Sequence, residues 1–424
     1  MLSLALITIL TLCVLAVMGM PIIIALAASV IAFLFFSSGW ELALPQQTLV
    51  GVSDYILVTL PLFILAGNIM NVSGIADRLF AFASAAVGWM RGGLAHVDVM
   101  VSIMFGGMIG TSVADLAGTG SVMIPKLKKA GYPGPFACSI TATSSGIGIL
   151  IPPSSPMILY SAVTGTSLGA LFLAGVIPGL LMGLVLMITI GILARRNGWS
   201  PMQSFEWREL MRTGKEAILP MGMPVLILGG LVFGIFTPSE AGAFAVAYAI
   251  ILSMGVYRSM SFVDLRKSLV EATVLTGEVL LVVGFSVALG WALSAVPVAL
   301  LDMMQYLFPF ESTIPQIFLM LGLALIAGMV LDPLIPMIMP VLLPSLLALD
   351  VDLVHFGVLM VVTVVIGQVT PPVALALIVA ARIGREDIVA TFRANTPLLL
   401  SMFVLLILLI FFPALTTWLP SLMM

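Results

Sequence analysis

Charge is missing from very long stretches of this chain. No Asp, Glu, Lys or Arg occurs between Met1 and Trp40, between Ala130 and Ala194, or from Ala394 to Met424. One membrane-spanning helix needs roughly 20 apolar residues, so the middle stretch holds more than one span. Of the 424 residues, 61% are hydrophobic and 8% charged, against about 25% charged in soluble domains. With a mean hydropathy of +1.26 there is no room for a sizeable soluble domain. Lipid cannot satisfy exposed backbone, and the pattern is that of an all-α polytopic membrane protein. A net charge of -3 argues against nucleic acid, which calls for a basic face. Cys13 and Cys138 lie in apolar segments without zinc spacing, so no structural disulfide is expected. The first basic residue is Arg78, whereas a signal peptide opens on positive charge. Leu2 to Ser37 is therefore expected to be membrane helix, broken near Gly19 and Pro21.

Single spans are expected at 55–72, 75–90, 167–194, 217–236, 238–257, 272–301 and 396–420. Segments 99–130, 134–165 and 316–349 exceed one helix, and each has Gly, Pro or Asp near its middle. They read as hairpins that turn back, or as broken helices, and 353–383 pairs with 134–165 in this respect. Polar residues 195–216 are expected to form a cytoplasmic connecting loop with a short amphipathic piece, Ser204 to Arg212. Lys and Arg concentrate on cytoplasmic connections. By that rule Arg91, Lys126 to Lys129, Arg195 to Lys215, Arg258 to Lys267 and Arg382 to Arg393 face the cytoplasm. The acid-only connections with Asp302, Glu311, Asp350 and Asp352 face outside. Segment 99–130 then has both ends inside, and 316–349 both ends outside. Charge placement alone predicts two halves of inverted topology, 1–194 and 217–424.

An internal repeat supports this. Shifting the first half by 219 residues sets Ile147-Gly148 on Ile366-Gly367, Pro152-Pro153 on Pro371-Pro372, Pro125 on Pro344, Ala162 on Ala381 and Gly165 on Gly384. Hydrophobic segments interrupted at matching places in two halves point to a transporter site. Paired prolines remove two amide donors and block helical geometry just upstream. The carbonyls so freed either line water or bind a hard cation such as sodium; a simple kink is the other outcome.

The first hairpin turns at Gly110-Thr-Ser-Val-Ala-Asp-Leu-Ala-Gly-Thr-Gly120, which offers Thr111, Ser112 and Asp115. The second turns around Gly328-Met-Val-Leu-Asp332-Pro333. An intramembrane Asp is a functional candidate by default, although it can also cap a broken helix. Ser154, directly after the first Pro pair, is the best ligand candidate among Ser144, Ser145, Ser154 and Ser155. Membrane serines also serve interhelical contacts. Glu240, in Thr237-Pro-Ser-Glu240, suits a helix start. His96 and His355 are expected to be interfacial, and Glu278 lies deep in a span without explanation. No phosphate loop occurs, so ATP is not expected to be the energy source.

Taken together, several stretches resemble the large membrane subunit of tripartite ATP-independent periplasmic (TRAP) transporters. They are Gly92-Gly-Leu-Ala-His-Val97, Ala114-Asp115, Ile124-Pro-Lys-Leu-Lys-Lys-Ala-Gly-Tyr132, Ile151-Pro-Pro-Ser-Ser-Pro156, Leu173-Ala-Gly-Val-Ile-Pro-Gly179, Gly234-Ile-Phe-Thr-Pro-Ser-Glu240, Leu331-Asp-Pro333, His355-Phe-Gly-Val358 and Gly367 to Pro372. The resemblance implies an elevator-type, sodium-coupled transporter of the bacterial inner membrane, with two inverted repeats. It implies a small four-helix membrane subunit and a periplasmic substrate-binding protein that delivers organic acids such as dicarboxylates or sialic acid. Carried over by motif, one sodium site would use Thr111 or Ser112 with carbonyls of Gly148, Ile151 and Pro153. The other would use Gly328, Gly367, Thr370 and Val373. Substrate would meet Ser112, Asp115, Ser154 and Asp332. The chain departs from the family where relatives often place Pro after the Gly of Ile147-Gly-Ile-Leu-Ile-Pro-Pro153, and at the polar Gln368; both bear on the substrate. No basic residue sits at the tips, so sodium and helix N-termini must attract a carboxylate.

Two other readings stand beside this one, and only the resemblance sets the first aside. A stand-alone sodium-coupled carboxylate transporter would need no binding protein. An intramembrane aspartyl protease would use Asp115 and Asp332 as a proton-sharing pair, but Pro333 follows Asp332 and no Gly-x-Gly-Asp pattern occurs.

Overall fold

The structure is a computed structural model that describes residues 7–8, 10–12, 14–15, 18, 20–36, 43–109, 112–294, 313–329, 334–371 and 373–423. Helix α1 (Ile22–Phe36) starts directly after Pro21. It is followed by α2 (Ala43–Val52), then α3 (Thr59–Val72), entered through a 3-10 turn at Tyr55–Val58, and α4 (Ile75–Val87). The first hairpin has arms α5 (Gly93–Ile109) and α6 (Ser112–Lys129). A broken helix follows: α7 (Gly134–Ser145) tightens at Gly146–Ile149, stops, and resumes as α8 (Ser155–Thr164). Next come α9 (Leu168–Asn197), α10 (Trp207–Val232), α11 (Pro238–Ile250, ending in a π turn at Ile251–Val256) and α12 (Phe262–Ser294). The second hairpin is α13 (Thr313–Gly328) and α14 (Ile335–Ala348). The second broken helix is α15 (Leu353–Gln368) and α16 (Leu375–Gly384), and α17 (Ile388–Phe411) and α18 (Ala414–Met423) close the fold.

Length separates two kinds of helix. Among the described residues, six stretches are long and apolar enough to cross a membrane: Tyr55–Val72, α9, α10, Pro238–Val256, Phe262–Ala292 and α17. Helices α13, α14, α15 and α16 are apolar but shorter, as hairpin arms and half-helices must be. Shifted by 219 residues, the starts of α5, α7, α8 and α9 fall within one residue of those of α13, α15, α16 and α17.

Contacts between connections define two faces. Lys128 bonds the Glu386 carboxylate and, at 2.9 Å, the Gly384 carbonyl. The Met202 amide donates to the Gly88 carbonyl at 2.9 Å, and the Trp199 ring lies 4.8 Å from that of Tyr132. The basic turns therefore lie together, as the charge rule requires. On the other face Tyr160 donates to the Leu353 carbonyl at 2.8 Å, beside the acidic turn at Asp350 and Asp352. Helix α6 ends at the basic face and α14 at the acidic one, so the hairpins enter from opposite sides.

The repeats interlock. The first hairpin's α6 packs on α16 of the second broken helix, while α14 of the second hairpin packs on α8 of the first. Likewise α7 lies against α17, and α15 against α9. Every residue of α15 from His355 to Gln368 is buried. By contrast, α9 exposes Leu180, Leu184, Ile188 and Ile192, a one-sided stripe that suits lipid. Helix starts follow the sequence: Ser167, Asp352 and Asp387 cap α9, α15 and α17. Thr237 and Glu240 form a reciprocal capping box on α11, which gives Glu240 the structural role its position suggests.

Two expectations change. The polar stretch 195–216 is mostly helical: α9 runs to Asn197, α10 begins at Trp207, and only 198–206 connect them. Glu209, Arg212 and Glu216 pair at helical spacing and support the exposed first turns of α10. Both histidines, each in the first turn of its helix, are packed inside the protein. His96 is fully buried, with Nδ1 and Nε2 each 3.1 Å from a carbonyl, of Gly92 and Met187. His355 is buried and bonds Thr416 at 2.7 Å. Finally, the span at 272–301 begins earlier, at Phe262; residues 295–301, with Asp302 and Glu311, lie outside the described residues.

Candidate functional site

The two breaks share an equivalent isoleucine carbonyl that stays hydrogen-bonded. In the first, the Ile147 carbonyl accepts from the amides of Leu150 (3.0 Å) and Ile151 (3.1 Å). The Pro152–Pro153 bond, which is cis, follows, and Ser154 then caps α8. Its hydroxyl donates to the Ile149 carbonyl at 2.5 Å and accepts from the Met157 amide at 3.4 Å. In the second break, the Ile366 carbonyl, equivalent to Ile147, accepts from the Val369 amide (3.2 Å) and the Thr370 hydroxyl (2.5 Å). Ala374 starts α16 in left-handed backbone, at φ 52° and ψ 57°. Few non-glycine residues adopt that region.

Each hairpin reaches a break. A Cβ added to Gly106 on α5 would lie 2.9 Å from the Gly148 Cα, and one added to Gly367 would lie 3.0 Å from the Gly328 carbonyl carbon. Glycine is what permits backbone to meet backbone at both places. At each break one helix ends and another begins among buried residues. The ending helix presents carbonyls and the starting one amides. Carbonyls and amides at helix ends therefore lie within short reach of one another at the breaks.

The sequence-chosen residues stand as follows. Gly148, Ile151, Pro153 and Ser154 lie together, buried in the first break. Gly328 and Gly367 touch, with Thr370 and Val373 following in the second break. Ser112 begins α6 and Asp115 lies in its first turn, but their side chains lie outside the described residues. Thr111 and Asp332 lie outside them altogether. Glu278 is exposed on the surface of α12.

Sequence reasoning missed a buried polar network beside the breaks. Asn395 on α17 donates to the Val369 carbonyl at 3.2 Å and accepts from Thr143 of α7 at 2.6 Å. Ser102 of α5 donates to Ser144 of α7 at 3.2 Å, and Asp98 of α5 meets Thr141 of α7 at 2.6 Å. Asp98 left a signal, as an acid inside an apolar run. Beginning the segment at 99 put it outside the span, whereas α5 starts at Gly93.

Residues 9–415 match the family model described as tripartite ATP-independent periplasmic transporter, DctM component. The chain is 37% identical over 413 residues to the sialic acid TRAP transporter large permease protein SiaM of Vibrio cholerae, covering 95% of each. It is 35% identical to the C4-dicarboxylate TRAP transporter large permease protein DctM of the same organism, over 96% of this chain and 95% of that one. It is 32% identical to the 2,3-diketo-L-gulonate TRAP transporter large permease protein YiaN of Escherichia coli, over 93% and 94%. A crystal structure of the Alcanivorax borkumensis YdaH transporter shares the fold, with a TM-score of 0.60 and 14% identity over 89% of this chain and 90% of that one. This chain, an integral protein of the inner membrane, belongs to the family of DctM components, the large permease proteins of tripartite ATP-independent periplasmic transporters.

Proposed function

We propose that the chain imports organic acids by sodium-coupled transport, receiving them from a periplasmic substrate-binding protein. The observation that carries this reading is the meeting of each hairpin with a broken helix, Gly328 against Gly367 above all. Discontinuous helices of this kind hold coupling ions on unwound carbonyls and anions on helix N-termini. Gly328, Gly367, Thr370 and Val373 would hold one sodium ion. Thr111 or Ser112, with Gly148, Ile151 and Pro153, would hold another. Ser112, Asp115, Ser154 and Asp332 would face the substrate. The relatives' names, for sialic acid, C4-dicarboxylate and 2,3-diketo-L-gulonate, agree on a carboxylate.

The halves 1–194 and 217–424, joined through 195–216, would act as an elevator. The interlocked hairpins and broken helices are the moving body in this reading, and the long helices are the scaffold. A small four-helix membrane subunit completes the complex. Glu278 supports it: ionisable groups in spans rarely face lipid, and this one is exposed, so another membrane subunit would cover it.

Thermal unfolding of the purified complex in sodium chloride and in equal potassium chloride tests the ion sites. An ion that binds only the folded state stabilises it by about 2.7 kcal/mol at a hundredfold excess over Kd. A higher Tm in sodium is the expected result; equal values would remove the sodium sites.

A further inference from the structure

Asp98, one turn and a half into α5, is fully buried, and its Oδ1 has no hydrogen-bond partner. Its Oδ2 lies 2.6 Å from Thr141 Oγ1 on α7. The same Thr141 oxygen lies 3.0 Å from the Ala137 carbonyl, one turn earlier in its own helix. A threonine hydroxyl carries one proton. Donation to the carbonyl four residues back is its usual bond inside a helix. With that proton on the Ala137 carbonyl, the 2.6 Å contact to Asp98 is a hydrogen bond only when the carboxyl supplies a second proton.

We propose that Asp98 is a proton-binding site. The proton sits on Oδ2, the Asp98 O–H donates to Thr141 Oγ1, and Thr141 donates to the Ala137 carbonyl. Both contacts are satisfied, and Oδ1 becomes the carbonyl oxygen of a neutral acid. An isolated carboxylate in an apolar interior instead takes up a proton.

Among the described residues, the helices around Asp98 present no counter-charge to it. Helices α3 and α7 carry no ionisable side chain other than the Cys138 thiol. The basic groups of α6 and α9, Lys126 to Lys129 and Arg195 to Arg196, lie at helix ends on the basic face. On α4 Arg78 stacks over Tyr257, on α10 Arg212 pairs with Glu209 and Glu216, and Asp77, Arg91, Arg208 and Lys215 are exposed. His96, two residues away on α5, turns to the Met187 carbonyl of α9. A metal ion fits less well than a proton. Hard cations gather about six oxygen ligands, and Asp98 has a single free one.

The proposal stands apart from the sodium reading, and its test does not depend on transport. Infrared difference spectra are recorded at neutral pH between the wild-type complex and Asp98→Asn. The expected result is a carboxylic-acid carbonyl band present only in wild type. In Thr141→Val that band moves to higher frequency, because the acid loses its hydrogen-bond partner. This second variant gives a reading even if Asp98→Asn folds poorly. Carboxylate bands in place of the acid band would overturn the proposal. So would carboxylate bands that shift when sodium replaces potassium, which would make Asp98 a cation site.

Discussion

The backbones of Gly328 and Gly367 are in direct contact, so close that a Cβ on Gly367 would lie 3.0 Å from the Gly328 carbonyl carbon and 3.1 Å from its oxygen. One residue ends a hairpin arm and the other lies in the last turn of α15. Any methyl group there must push the Gly328 carbonyl aside. Gly367→Ala is expected to lower stability by about 1–3 kcal/mol, as overpacking does. It should also weaken sodium binding about tenfold, or about 1.4 kcal/mol. Sodium titrations followed by Tm measure both; an unchanged sodium midpoint would mean that this contact is packing alone.

Asn395 ties three elements together, through the Val369 carbonyl and the Thr143 hydroxyl. Asn395→Leu leaves both groups buried without that partner, at a cost of about 1–3 kcal/mol. Asn395→Asp should be worse, because a carboxylate would face the Val369 carbonyl with no proton to donate. Thermal unfolding ranks the two variants. Equal Tm values for wild type and Asn395→Leu would show that water replaces the amide.

Ala374 holds left-handed backbone at the start of α16, where an L residue is strained by roughly 1–2 kcal/mol. Ala374→Gly should raise stability by about 1 kcal/mol once glycine's larger unfolded-state entropy is subtracted. Chemical unfolding of the detergent-solubilised protein reads this directly. A loss of stability would mean that the methyl group contributes packing that outweighs the strain.

Glu278 tests the partner. Glu278→Lys reverses an exposed charge in mid-span and should abolish co-purification of the small membrane subunit, with Glu278→Gln intermediate. Undiminished co-purification of Glu278→Lys would place the partner on another face.

How far the sequence speaks depends on the range of the interaction. Proline pairs and glycines act on their own backbone, so the breaks at 150–154 and 369–374 and the repeat that relates them were legible. Lys and Arg placement was equally local, and the Lys128–Glu386 contact agrees with it. The Thr143–Asn395 bond joins residues 252 apart, and no local pattern announces it. Asp98 was visible as a charge but not as a buried one, because its exposure depends on where α5 begins. The polar linker misled for a related reason: Glu209, Arg212 and Glu216 look like a solvated loop by composition and like a helix only by spacing.

The central claim is sodium-coupled uptake that depends on a binding protein. The complex of this chain with its small membrane subunit is reconstituted in liposomes, supplied with binding protein loaded with labelled organic acid, and assayed with and without an inward sodium gradient. The account predicts uptake only when both the gradient and the binding protein are present. Uptake that proceeds without sodium, or with free substrate and no binding protein, would contradict it.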